Sequence, residues 1–445
     1  MNNKKCTICI RREDKNEWEK RTPLIPSHAE HLEKKYGIKI CVQPSQIRVF
    51  KDSDYREKGI ELVNDINHCS IILALKEIPE DLIMKDKIYL FFSHTTKGQP
   101  HNMPMLKKLK QYKCTLVDYE KITDKKGRRL LFFGTQAGQS GMVETLCALG
   151  KRLDTEGIPN PFSEIKQPFQ YSSLAEAKKH IKKIGSIIKE KGLAPELVPL
   201  VCGFSGYGHT SKGAQEVFDI LPNQKVDAED LDAFMNTCGH KNNRLYKVVF
   251  KEEDMVEPKD GKHLFDLLDY YKNPEKYRSR FSKYLKHLTV LINCIYWEPK
   301  YPKFIKNSEL KALFQSQKNP RFRIIGDISC DIEGSIECTQ YSTTPQNPAY
   351  LFDPVEGKIK NNGQGKGIAV MSIDNLPAEI PLESSVFFSK TLKTFIPEIA
   401  VADYSAEFDK CELPEPIKKA VVLYKGEFTT NFKYMEKYIK GNPNE

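Results

Sequence analysis

The sequence predicts an α/β protein built on two mostly parallel sheets. Three observations carry this. Short apolar runs alternate with helical stretches through the first third of the chain, and strand, helix, strand in series gives a parallel sheet covered by helices. The same alternation resumes after a proline-bearing segment at residues 153–172. Most of the apolar runs pass straight into ionisable or glycine residues, and such sheets bind ligands beyond the carboxyl ends of their strands. The 445 residues, 40% of them apolar, suffice for two substantial cores.

Taken in order, Thr7–Ile10 reads as a strand, Ser27–Lys35 as a helix ending before Gly37, and Ile38–Val42 as a strand. Ile71–Leu75 and Ile88–Phe92 are short apolar strands. Their ends bring Arg11-Arg12-Glu13, Lys76-Glu77, Ser93-His94 and Asp118-Tyr119-Glu120 to one rim. Gly138–Leu149 is a helix whose Gly138 and Gly141 permit close backbone approach. Ser173–Lys191 is a basic amphipathic helix with apolar Leu174, Ala177, Ile181, Ile184 and Ile188.

Leu197–Gly203 is a further strand, and a glycine-rich turn and a helix follow it. Gly206, Gly208 and Gly213 are spaced GxGxxxxG, one residue longer than the dinucleotide fingerprint. The physics is the same: glycines let the backbone approach a pyrophosphate, which rests on the helix N-terminus. Leu288–Cys294 and Arg323–Ile328 are buried strands of the same sheet, ending at Asn293 and at Asp327-Ile-Ser-Cys-Asp331.

The net charge is +10, from 69 basic and 59 acidic residues. It reads mostly as a solvated lysine-rich surface, with a small part facing an anionic ligand. No finger spacing or dense basic tract calls for nucleic acid. No apolar run approaches the ~20 residues of a membrane span. The chain opens on a strand with no cleavable leader pattern, and its twelve cysteines are scattered, many within apolar strands. This usage fits a reducing compartment, so a cytoplasmic location is expected. Cys6-x-x-Cys9 fits core packing in a strand, and no second pair has zinc spacing, so no metal is expected.

Several strings carry a resemblance. They run from Ile10 to Pro26, Phe91 to Lys97, Val117 to Lys121, Phe133 to Met142, Ser211 to Gln215 and Ile373 to Pro377. Three more are Asn273–Phe281, Asn293–Glu298 and Gly334–Glu337. Over essentially its whole length the chain resembles the lysine–ketoglutarate reductase domain of bifunctional aminoadipic semialdehyde synthases. More distantly it resembles lysine-forming saccharopine dehydrogenases, then alanine dehydrogenase and transhydrogenase. The last three strings separate the reductase from the shorter fungal enzyme. The bifunctional proteins continue into a second dehydrogenase, whereas this chain stops at Glu445, so a free-standing reductase is expected.

The resemblance implies two Rossmann-like domains flanking a cleft whose closure excludes water. Residues 1–152 and 373–445 would form the substrate domain, and residues 153–372 the dinucleotide domain. The implied reaction condenses L-lysine with 2-oxoglutarate and reduces the imine to saccharopine. Lys76 and His94 match the proton-transfer pair, with Glu77 and Glu120 beside the lysine. A carboxylate raises a lysine's pKa and burial lowers it, so sequence leaves the net sign open. Arg21, Arg129 and Gln99 match substrate contacts, and an arginine fork suits carboxylates. Gly206, Gly208, Ser211, Gly213, Asp327, Ser329, Asp374 and Asn375 match the cofactor segment. The resemblance implies NADPH, with NAD as the alternative. An acidic residue about 20 positions past the glycines favours NAD and a nearby basic one suits NADP; Asp227 competes with Lys225, Lys241 and Arg244. Two rivals stand beside the reductase: an NAD-dependent lysine-forming saccharopine dehydrogenase, and a catalytically silent amino-acid or nucleotide sensor. His209 and Cys330 depart from the family's usual residues.

Overall fold

The structure is a computed structural model that describes residues 7–360 and 364–439. Cys6 therefore lies outside the described residues. The chain divides into two compact units, residues 1–133 with 381–445, and residues 134–380.

The first unit holds an eight-stranded sheet. Its chain-order strands are β1 (Thr7–Ile10), β2 (Lys39–Val42), β3 (Glu61–Leu62), β4 (Ile71–Leu73), β5 (Ile88–Phe91) and β6 (Thr115–Asp118). In space they run β3-β2-β1-β4-β5-β6, all parallel. Beyond β6 lie Val421–Tyr424 and Glu427–Phe428, both antiparallel to their neighbours. The run Val-Val-Leu-Tyr ends at Lys425-Gly426, which turns it back as a hairpin. β1, β4, β5 and β6 are buried at every position, as parallel strands covered on both faces must be.

The strand order reverses between β1 and β4. Such a switch point opens a crevice at the carboxyl ends of the two strands. Here that crevice is bordered by Arg11–Glu13 and Leu75–Glu77.

The second unit repeats the scheme. Its strands are β7 (Val201–Ser205), β8 (Asn223–Lys225), β9 (Leu245–Phe250), the hairpin β10 (Val256–Pro258) with β11 (Tyr277–Ser279), β12 (Val290–Asn293), β13 (Ile324–Asp327), β14 (Ala349–Asp353), β15 (Lys358–Lys360) and β16 (Ile368–Met371). The large sheet is ordered β8-β9-β7-β12-β13-β16-β14-β15, with β14 and β15 antiparallel. The switch point falls between β7 and β12.

The helix expected over Gly138–Leu149 spans Gly134–Thr155 and belongs entirely to this second unit. That is why the division falls at residue 133, ahead of the expected 152. The helix crosses His209–Phe218 at very short range. A Cβ on Gly138 would stand 1.9 Å from the Thr210 carbonyl oxygen, and one on Gly213 would stand 2.2 Å from that of Thr135.

Candidate functional site

In the first unit, four adjacent strand ends deliver a dense ionic cluster. Lys76 follows β4 and is half-buried. Its backbone N–H donates to Glu13 at 3.0 Å, and the Leu75 N–H donates to the other Glu13 oxygen at 2.7 Å. Glu13 thus ties the end of β1 to the end of β4. It is buried, and burial with the neighbouring Glu19 charge pushes its carboxyl up to about 7 despite those two donors.

Glu77, next along, makes a 2.6 Å hydrogen bond with His94 Nδ1 and a 3.0 Å ion pair with Lys15. Burial alone would raise this carboxyl. The His94 hydrogen bond and charge and the Lys15 ammonium outweigh it and hold the group below the usual range. His94 sits at φ 45, a left-handed backbone uncommon for a non-glycine residue. Asn102 Nδ2 holds that turn by donating to the His94 carbonyl at 3.1 Å.

Lys76 is lowered from its ordinary value, by burial first and then by the charges of Arg21 and Lys15, against Glu19 and Glu77. Arg21 itself is buried. Its Nε and Nη2 donate to the two Glu19 oxygens at 2.7 and 2.6 Å, and its guanidinium lies 4.4 Å from the Phe133 ring centre. Two of its fork nitrogens are therefore committed to Glu19. Arg129 is exposed and paired with Glu120. Gln99 is turned to its own loop, where its Oε1 accepts the Lys97 N–H at 3.1 Å. Asp118 is buried and accepts from Ser93 Oγ at 2.6 Å and from the Glu120 N–H at 2.8 Å.

Lys76, Glu77, His94 and Arg21 thus fall in one interacting cluster, and Glu120 with Arg129 forms a separate pair. Sequence reasoning assigned no role to Glu13, Lys15, Glu19 or Asn102. The signal was available for three of them: residues 11–21 alternate in charge directly after β1, at the position where a parallel sheet binds its ligand.

In the second unit, Gly206 (φ +79) turns the chain out of β7, and Gly208 is the N-cap of the helix His209–Phe218. A Cβ on Gly208 would meet nothing within 4 Å. These glycines line a cavity of about 420 Å³. Cys294–Trp297, at the end of β12, and Glu252, after β9, complete that wall. The cavity thus opens at the switch point of this sheet. An unobstructed glycine at a helix N-terminus, facing a cavity of this size, fits a dinucleotide pyrophosphate.

Other expected cofactor residues are committed inside the unit. Ser211 is fully buried, and its Oγ accepts from Gln215 at 2.9 Å, which leaves its backbone N–H as the group suited to a ligand. Gly213 serves the crossing with Thr135. Buried Asp327 accepts from Asn293 at 2.8 Å and Thr339 at 2.6 Å, bracing β12 against β13. Ser329 donates to the Ile295 carbonyl at 2.6 Å. Asp374 is exposed and Asn375 half-buried, just after β16.

The acidic residue weighed for cofactor choice also moves. Asp227 follows the edge strand β8 and pairs with Lys225. The strand next to β7 is β9, and Lys251-Glu252 follow it. Glu252 is the carboxylate that reaches the glycine turn, and it accepts from Tyr271 Oη at 2.7 Å.

Among known proteins, the model of the alanine dehydrogenase/PNT N-terminal domain matches residues 9–140. An α-aminoadipic semialdehyde synthase of Arabidopsis thaliana is 37% identical over 98% of this chain and 42% of its own length. The mitochondrial α-aminoadipic semialdehyde synthase of Mus musculus is 34% identical over 97% of this chain and 48% of its own. The chain thus spans less than half the length of these relatives. The NAD(+), L-lysine-forming saccharopine dehydrogenase of Emericella nidulans is 26% identical over 80% of this chain and 82% of its own.

Among solved structures, an L-alanine dehydrogenase shares the fold with TM-score 0.61 at 14% identity, covering 98% of this chain and 99% of that one. A transhydrogenase from Sinorhizobium meliloti does so with TM-score 0.56 at 12% identity, over 95% and 100%. No helix among the described residues is long and apolar enough to cross a membrane. Residues 9–140 thus match the alanine dehydrogenase/PNT N-terminal domain, and the chain is similar along almost its whole length to part of the α-aminoadipic semialdehyde synthases and, at lower identity, to the lysine-forming saccharopine dehydrogenases.

Proposed function

We propose that this chain is a lysine–ketoglutarate reductase: it condenses L-lysine with 2-oxoglutarate and reduces the imine to saccharopine, in the direction of lysine degradation. The observation that carries the reading is the cluster of Lys76, Glu77 and His94 at adjacent strand ends, with the lysine's pKa lowered.

The ε-amine of lysine must lose its proton before it can attack a keto carbon. Lys76, depressed by burial and by Arg21 and Lys15, is suited to take that proton. Loss of hydroxide from the carbinolamine needs an acid. His94, held by Glu77, supplies a proton to the departing oxygen. Arg21 and Arg129 contribute positive charge toward substrate carboxylates, with Glu120, Glu77 and Gln99 as further polar contacts. Gly206, Gly208 and the Ser211 N–H hold the cofactor's pyrophosphate, with Ser329, Asp374 and Asn375 near its other end. When bound, the nicotinamide supplies the hydride that completes the imine reduction.

NADPH is the cofactor of this reading, as the resemblance of the sequence motifs implies. Glu252 favours a second one: a carboxylate at the end of the strand beside the glycine strand accepts from free ribose hydroxyls and repels a 2′-phosphate. On that reading the cofactor is NAD(H), as in the name of the lysine-forming relatives. The free thiols support a reducing compartment, which on this reading is the cytoplasm, although the Mus musculus relative is mitochondrial; lysine and 2-oxoglutarate are small molecules that call for no nucleic-acid or membrane partner.

The test is consumption of NADPH and, separately, NADH by the purified chain with lysine and 2-oxoglutarate. NADPH turnover supports the reductase. Turnover confined to NADH, with oxidation of saccharopine on NAD, supports the lysine-forming enzyme. Binding of either nucleotide without turnover would leave the silent sensor.

A further inference from the structure

Three thiols meet in the core of the first sheet. Cys9 of β1 and Cys41 of β2 are register partners on neighbouring strands. Cys69 lies just ahead of β4, the strand on the other side of β1. The three sulfur atoms lie within 4.8 Å of one another, and Cys41 Sγ is 3.3 Å from Cys69 Sγ. All three residues have no solvent exposure. Among the described residues no other three Cys, His, Asp or Glu side chains bring donor atoms this close.

One further donor stands beside Cys69. His68 Nε2 is 3.5 Å from Cys69 Sγ, outside the mutual 4.8 Å range of the three sulfurs, and His68 is exposed, so rotation of its side chain brings the ring to a fourth position. Tetrahedral zinc with Zn–S bonds of about 2.3 Å holds its sulfurs about 3.8 Å apart. The sulfurs here already stand on that scale. Lys87 lies on the same side and donates to the Asn67 carbonyl at 2.5 Å.

We propose that Cys9, Cys41 and Cys69, with His68 as fourth donor, form a site for a thiophilic divalent ion, Zn²⁺. The ion displaces the thiol protons, which pass to solvent. Three thiolates, one neutral imidazole and Zn²⁺ leave a single negative charge, beside the Lys87 ammonium. The site is a structural clamp: four protein ligands leave no open position for chemistry, and it cross-links β1, β2 and the entry to β4, at whose far end stands Lys76. Sequence spacing could not reveal it. Its ligands come from two strands and the turn ahead of a third, with Cys41 and Cys69 alone 28 residues apart, not from a pair of short Cys-x-x-Cys knuckles.

The test uses the full chain, stripped with a chelator under reducing conditions, reloaded with Zn²⁺ and passed through gel filtration. Metal is then counted by mass spectrometry. One zinc per chain is expected for the wild type and for Cys238→Ser, an exposed thiol outside the cluster. Cys41→Ala should retain almost none. Replacement by Co²⁺ should give thiolate charge-transfer and tetrahedral d–d bands. Because a core cysteine variant can fail to fold, His68→Ala, at an exposed position, is the second arm. It should keep its circular dichroism and bind Zn²⁺ about tenfold more weakly or worse, the scale for losing groups that merely orient a ligand. Zinc content equal in wild type and a folded Cys41→Ala would overturn the site, as would absent cobalt bands, a Cys41–Cys69 disulfide formed in place of metal binding, or unchanged affinity in His68→Ala.

Discussion

Replacing Arg21 by alanine should destabilise the first unit strongly, beyond any effect on turnover. The side chains of Arg21 and Glu19 are 1% and 0% exposed and joined by two short hydrogen bonds. Removing the guanidinium strips a buried carboxylate of its bidentate partner, which costs about 3–5 kcal/mol. For a domain of this size, each kcal/mol moves the midpoint by about 2–4 °C. The expected fall in thermal midpoint, read by scanning calorimetry, is therefore about 6–20 °C. A double variant, Glu19→Gln with Arg21→Met, removes both charges and keeps the volume, and it should recover most of the loss. Arg21→Lys should not, since an ammonium cannot reproduce the fork. The reasoning fails if Arg21→Ala melts within about 1 °C of wild type, or if the double variant is no more stable than the single one.

Lys76→Met should lower turnover by about 10²–10⁴-fold while nucleotide binding, read by fluorescence titration, is retained; equal loss of both would place Lys76 in folding instead. Gly213→Ala should cost about 1–3 kcal/mol or more in urea unfolding, because its Cβ meets the Thr135 carbonyl; a neutral result would refute the close crossing. Buried Glu144 is pushed up to about 7, and its buried neighbour Glu379 is raised as well, both by burial first. Folded chains thus keep protons that unfolded chains release above about pH 4.3, so this pair's contribution is lost as pH rises through 7. Glu379→Gln should gain stability relative to wild type between pH 5.5 and pH 8 by at least about 1 kcal/mol, and a relative loss over that range would contradict the assignment. Glu252→Ala should narrow any preference for NADH over NADPH, measured as the ratio of kcat/KM values; an unchanged ratio would remove Glu252 from cofactor choice.

The strand ends were legible because a buried parallel strand has a simple signature, an apolar run cut off by charge. That signature put Lys76, Glu77 and His94 on one rim, and the sheet order β1-β4-β5 makes their strands neighbours. Legibility failed where chain order and spatial order part. The spacing rule for the ribose-binding acid assumes that the next strand in the chain lies beside the glycine strand. Here β8 goes to the sheet edge and β9 takes the inner place, so Asp227 is carried away and Glu252 brought in. Glycines posed the same problem. Gly206 and Gly213 look alike in a motif, yet one turns a loop at φ +79 and the other admits a helix backbone. Only the neighbour tells them apart.

The sign of the Lys76 shift shows what three-dimensional pairing adds. In sequence, Glu77 beside the lysine argues for a raised pKa, and Arg21 and Lys15 cannot be weighed against it. In the folded unit each nearby carboxylate has its own partners. Glu19 is bound to Arg21, and Glu77 to His94 and Lys15. Glu13 spends its oxygens on the backbone N–H groups of Leu75 and Lys76 and is itself raised toward neutrality. The acidic field at the Lys76 ammonium is thereby largely cancelled, while its desolvation is not, and the net shift is downward. A lysine base therefore requires the salt bridges around it as much as its own burial. On this argument Arg21 and Lys15 act on the proton affinity of Lys76 before they act on any substrate carboxylate, and Lys15→Met should raise the lower pKa of the kcat/KM profile even where KM is unchanged.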